Sequence, residues 1–110
     1  GAAGLPDIGH FFPDDDPEFE NASSVKLLIR VMKKIRDMGY EVGNIDTTII
    51  AQRPRLSGYI LEMKACLSRV MGITEDALGI KATTKEKMDA IGEGKAIAVM
   101  ASSLLYRRNY

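Results

Sequence analysis

Residues 43–55, Gly43-Asn44-Ile45-Asp46-Thr47-Thr48-Ile49-Ile50-Ala51-Gln52-Arg53-Pro54-Arg55, decide the fold of this chain. Five of the nine residues from Asn44 to Gln52 are β-branched, which suits a pleated strand and crowds a helix. Gly43 and Pro54 bracket that run, so a strand is predicted from Asn44 to Gln52. Upstream, Val25, Leu28, Val31, Met32, Ile35 and Met38 recur at three- and four-residue steps, with Lys26, Arg30, Lys33, Lys34 and Arg36 between them. This is an amphipathic helix over Ser24–Met38, with Ser23 or Ser24 as N-cap and Gly39 as its stop; no aromatic residue interleaves its basic face, which reads as solvated. Downstream, Ile60, Met63, Leu67, Val70 and Met71 predict a second helix over Ser57–Met71, ending at Gly72.

Thr74-Glu75-Asp76 reads as a capped short turn with its acids at the favoured end of the helix dipole. Gly79–Thr84 and Lys95–Tyr106 are two further strand candidates. The last is small or apolar on both faces, which predicts burial on both sides. The order helix, strand, helix, strand, strand predicts an α+β fold, a mixed β-sheet covered on one face by helices. Three strands with a doubly apolar last member leave a face that calls for another subunit.

At 110 residues the chain makes one domain with one modest core. Fifteen basic residues balance fifteen acidic ones, so no global field directs it to nucleic acid or an acidic membrane. The lone Cys66 excludes an internal disulfide framework, and its helical setting predicts a buried, inert thiol. No apolar run reaches the roughly 18 residues of a membrane span. The chain opens Gly1-Ala2-Ala3-Gly4 without an initiator Met, which reads as a processed chain or a piece of a longer protein.

Three segments could carry chemistry. Asp7-Ile8-Gly9-His10-Phe11-Phe12-Pro13-Asp14-Asp15-Asp16-Pro17 places three carboxylates between two prolines on a stiff loop, with Phe12 and Asp16 biased to extended backbone. Such a loop holds a cation or a hydroxylated ligand, or is simply a solvated acidic turn. Ala51-Gln52-Arg53-Pro54-Arg55-Leu56-Ser57 leaves a strand and enters a helix, a setting for a phosphate or a nucleobase edge. Lys81-Ala82-Thr83-Thr84-Lys85-Glu86-Lys87 combines hydroxyls, charge-neutralising lysines and a carboxylate for a hard cation. The chain has no GxxxxGK[ST], no GxGxxG and no Cys/His cluster for structural zinc, and His10 is its single histidine. A nucleophilic triad is thereby disfavoured, and catalysis by positioning and electrostatics fits the residues present.

Taken in order, DIG followed by FPDDDP, then GNIDTTIIAQRPR, then KATTKEKMDAIGEG resemble the 2-C-methyl-D-erythritol 2,4-cyclodiphosphate synthase family of non-mevalonate isoprenoid biosynthesis, from Gly1 to about Tyr106. The resemblance implies a phosphorus–oxygen lyase. Its substrate, 4-diphosphocytidyl-2-C-methyl-D-erythritol 2-phosphate, attacks its own β-phosphorus through the 2-phosphate and releases CMP. It implies a homotrimer whose active sites lie between neighbours, with the uncovered sheet face packing at the three-fold axis. It also implies two divalent cations, Zn and Mg or Mn, and a cytoplasmic (bacterial) or plastid-stromal setting.

Carried over by position, Asp7, Ile8 and Gly9 meet the ribose and sugar-alcohol region. Phe12, Pro13, Asp14, Asp15 and Asp16 wall the methylerythritol end. Ala51, Gln52, Arg53, Pro54, Arg55, Leu56 and Ser57 form the cytosine-reading turn, largely through backbone groups. Thr83, Thr84, Lys85 and Glu86 form the diphosphate segment, with Thr84 stabilising the transition state and Glu86 beside Mg or Mn. The family's zinc ligands, an Asp-x-His pair and a further histidine, precede the position where this chain starts. The chain therefore reads as the C-terminal two-thirds of a synthase domain, lacking its N-terminal strands and first helix and inactive alone. Glu93 and Lys95 stand where the family often carries Arg and Glu near the trimer axis. The competing readings are a non-catalytic trimeric cytidine-nucleotide-binding module and a cation-binding domain without nucleotide affinity.

Overall fold

A computed structural model describes residues 1–13, 23–51, 56–83 and 96–108. In chain order these form α1 (Ile8–Phe11), α2 (Ser24–Asp37), β1 (Tyr40–Ala51), α3 (Ile60–Met71), β2 (Leu78–Thr83) and β3 (Ile97–Arg107), with 3-10 turns at Ser57–Tyr59 and Glu75–Ala77. The order helix, strand, helix, strand, strand is as predicted, preceded by the single turn α1. Asp7 caps that turn through its side chain, and Phe12, expected to be biased to extended backbone, closes it at φ −132 and ψ 71, outside the helical region; Asp16 lies outside the described residues.

Ser23, not Ser24, caps α2 by accepting from the Lys26 N–H. Gly39 follows its C-cap at φ +88, a left-handed conformation that favours glycine. Gly72 closes α3 in the same way at φ +68. β1 starts four residues before the predicted strand, because Gly43 lies inside it. A β-bulge falls between Val42 and Asn44, and a Cβ at Gly43 would press to 3.2 Å from the Leu104 carbonyl oxygen.

The sheet order is β2-β1-β3, with β1–β2 parallel and β1–β3 antiparallel. It is a mixed sheet, and the fold is α+β. Alternation along β1 sends Val42 and Ile45 to the face that α2 and α3 cover, and Asn44, Asp46 and Thr48 to the other. On the covered face, Met32 and Ile35 of α2 and Met71 of α3 pack against Val42 and Leu78. Leu78, at 1% exposure, is the most deeply buried of them. Ala3 and Leu5 extend this cluster from the N-terminal segment.

Two burial expectations need correction. Cys66 is exposed, because it lies one residue off the phase of Leu67 and Met71, which face the core. The predicted burial of both faces of β3 is not supplied by this chain: Val99, Met100, Leu104 and Tyr106 are all more than half exposed. No helix among the described residues is long and apolar enough to cross a membrane.

Candidate functional site

The parallel pairing of β1 and β2 fixes the first half of the site. Ile50 stands opposite Thr83, so both strands end side by side, about 4.8 Å apart in the pairing direction. Ala51 and Thr83 thus end their strands at one end of the sheet, and β3 begins there too, with Ile97 opposite Ala51. From Leu56 the chain turns through Ser57–Tyr59 into α3. Carboxyl ends of neighbouring parallel strands, with a helix starting beside them, are where open sheets receive ligands. Ala51 and Thr83 are thereby neighbours at the ends of paired strands. Gln52, Arg53, Pro54, Arg55, Thr84, Lys85 and Glu86 lie outside the described residues, as do Glu93 and Lys95.

Lys81, counted at sequence level among the cations for phosphate, is engaged elsewhere. Its ammonium donates to Asp46 on the helix-free face of the sheet. Gly79 permits this, since a Cβ there would come within 2.7 Å of Asp46 Oδ1. On the covered face, the Thr47 hydroxyl donates to the Gly79 carbonyl at 2.8 Å and ties β1 to β2.

The second half sits at the other end of β1. The segment from Gly1 to Phe11 lies over α2 and the early part of the strand. A cavity of about 300 Å³ is lined there by Ala3, Leu5, Ile8, Val42, Ile45 and Leu105. A neighbouring cleft of about 380 Å³ brings Phe11 and Phe12 against Arg30, Lys33 and Lys34 of α2, so part of the face read as solvated lines a concavity. Asp37, at its rim, is held below the usual carboxylate range chiefly by the hydrogen bond from Lys33, 2.7 Å away.

Asp7, Ile8, Gly9, Phe12 and Pro13 all belong to this N-terminal segment; Asp14, Asp15 and Asp16 lie outside the described residues. From Ile45, which lines the same cavity as the segment, to Ala51 is six residues of strand, or roughly 20 Å. The N-terminal segment thus lies over the part of β1 away from the end that pairs with Thr83.

An interaction missed at sequence level is His10 with Asp7. Nδ1 of His10 lies 2.7 Å from Asp7 Oδ1, and the His10 backbone N–H donates to the same oxygen at 3.2 Å. The signal was available: an Asp before a helical turn with His three residues on puts the imidazole over the cap. Among the described residues, no group of three or more His, Cys, Asp or Glu side chains could hold a metal ion. They do not fit a zinc centre, and no step below is routed through one.

A sequence model of the YgbB family matches residues 1–106. The chain belongs to that family. Its curated relatives are 2-C-methyl-D-erythritol 2,4-cyclodiphosphate synthases. The Clostridium acetobutylicum enzyme is 48% identical over 96% of this chain and 68% of its own length. The Synechococcus elongatus enzyme is 43% identical over 97% of this chain and 67% of its own. Among solved structures, the bifunctional IspDF of Campylobacter jejuni superposes with a TM-score of 0.93 at 38% identity, covering 99% of this chain and 30% of that one. Plasmodium falciparum IspF in complex with CDP gives 0.84 at 35% identity, covering 99% of this chain and 65% of that one. The chain therefore spans about two-thirds of the length of the synthases it matches. The family resemblance of the three segments is borne out, and the non-catalytic alternative is not favoured.

Proposed function

We propose that this chain supplies both halves of a cyclodiphosphate synthase site, each to a different copy of itself. The reaction is conversion of 4-diphosphocytidyl-2-C-methyl-D-erythritol 2-phosphate to 2-C-methyl-D-erythritol 2,4-cyclodiphosphate and CMP. An oxygen of the substrate's 2-phosphate bonds to the β-phosphorus while the bond from that phosphorus to the bridging oxygen breaks, and CMP leaves with the oxygen. No protein nucleophile takes part, so the protein's work is to hold a charged chain folded on itself and to stabilise the charge that develops.

The observation that carries this reading is the separation of the N-terminal segment from the Ala51–Thr83 end by about half the length of β1, together with the exposed apolar side chains of β3. A second copy resolves both, by covering β3 and bringing its own Ala51–Thr83 edge to this copy's Asp7 segment. In that arrangement Asp7, Ile8 and Gly9 meet the sugar and Phe12–Asp16 close the methylerythritol end. Residues 51–57 read cytosine through backbone groups, which tolerates Arg55, and Thr83–Glu86 hold the diphosphate. A homotrimer with β3 toward the three-fold axis is the closed symmetric form of this contact. The CDP in a structural relative supports a cytidine nucleotide as ligand. Zinc, on ligands outside the described residues, and Mg or Mn beside Glu86 belong to the proposal; when bound they neutralise phosphate charge.

Complementation tests the shared site in the full-length polypeptide carrying this sequence. Asp7→Ala and Thr84→Ala variants, each impaired alone, are unfolded together, refolded as mixed oligomers and assayed for CMP release. A site built between copies returns roughly a quarter of the wild-type sites at equal mixing, because each intact site needs one unaltered half from each variant. Activity no higher than the mean of the two variants would place both halves within one copy and overturn the reading.

A further inference from the structure

We infer that His10 is a positioning residue for Asp7, holding one oxygen of its carboxylate so that the other is presented to the sugar hydroxyls of the substrate. The inference rests on the proposal above that Asp7 meets the ribose. Asp7 and His10 are both largely exposed, at 76% and 71% of their side-chain surface, so packing does not fix the carboxylate. Hydrogen bonding does. The backbone N–H and the ring Nδ1 of His10 converge on the same oxygen, Oδ1.

A carboxylate offers about four acceptor sites across two oxygens, and this arrangement uses only one oxygen for the protein. No bond to Oδ2 is made among the described residues. Asp7 itself sits at φ −65 and ψ 166, an unstrained cap, so the chelate of backbone and imidazole sets χ1 without cost to the main chain. The Nδ1–H donates in the imidazolium and in the neutral tautomer protonated at that nitrogen, so the hold does not require charge. A carboxylate already oriented loses less rotamer freedom when two neighbouring hydroxyls donate to its open oxygen.

The effect belongs to substrate binding and is read as a split between KM and kcat in the full-length polypeptide carrying this sequence. His10→Phe keeps the ring and removes the donor; His10→Asn keeps a donor near the Nδ1 position. His10→Phe is expected to raise KM roughly fivefold to tenfold with kcat unchanged, the size of one lost hydrogen bond, and His10→Asn to stay within about twofold of wild type. In an Asp7→Ala background, which raises KM by itself, His10→Phe adds nothing further. A raised KM for Asp7→Ala with no change for His10→Phe would overturn the positioning role and leave the reading of Asp7 standing. An unchanged KM for Asp7→Ala would remove that reading and this inference with it.

Discussion

Replacing Thr84 by Ala in the full-length polypeptide is expected to lower kcat by about 10²- to 10³-fold, the loss that follows removal of one preorganised donor from a developing oxyanion. Thr84 follows directly on Thr83, the last residue of β2, whose backbone is fixed by pairing with Ile50 at the strand-end edge. In the role proposed for it, Thr84 donates as charge builds on the β-phosphate, so kcat is expected to fall while KM changes little. Thr84→Ser keeps the hydroxyl and is expected to retain most of the turnover. Steady-state CMP release measures both variants, and wild-type turnover in Thr84→Ala would show that the residue has been given the wrong role.

The largest expected effect on stability is at Leu78. Its side chain is 1% exposed and lies in the cluster of Met32, Ile35, Val42 and Met71, where both helices meet the sheet. Truncating a buried leucine to alanine costs about 2–5 kcal/mol. A domain of this size holds about 5–15 kcal/mol in total. Leu78→Ala should therefore lower the urea midpoint sharply without changing the slope of the transition. By contrast, Leu61→Ala, at a position 80% exposed, should leave that midpoint close to wild type unless a second copy covers it. A Leu78→Ala loss below about 1 kcal/mol would mean that the helix–sheet layer is not the principal core.

Much of this was legible in the sequence, for reasons that can be named. The β-branched run around Thr47–Ile50 and the periodicity of Leu28, Met32 and Ile35 gave strand and helix because one face of each is buried against the other. The glycines at 39 and 72 ended their helices because both adopt positive φ. Gly43 misled, since a glycine inside a strand at a bulge and a glycine before a strand look alike without the partner strand. Cys66 misled because an apolar stripe does not say which flanking small residue turns outward. At the site, the order of three segments carried the family, and parallel pairing then set Ala51 beside Thr83. The distance from Asp7 to that edge was not legible, because it depends on how the N-terminal segment lies over α2 and β1. The His10–Asp7 contact was legible only as a local capping pattern, Asp with His three residues on, because a cap leaves no periodic trace.

These segments are proposed to handle a cytidine diphosphate substrate for intramolecular phosphoryl transfer. The most direct test of that proposal incubates the full-length polypeptide carrying this sequence with 4-diphosphocytidyl-2-C-methyl-D-erythritol 2-phosphate and divalent metal, and follows the products by mass spectrometry. CMP and 2-C-methyl-D-erythritol 2,4-cyclodiphosphate appearing in equal amounts is the predicted result. Saturable binding of CMP or CDP with no cyclic product under any metal condition would contradict it, and would make the protein a cytidine-nucleotide-binding module instead.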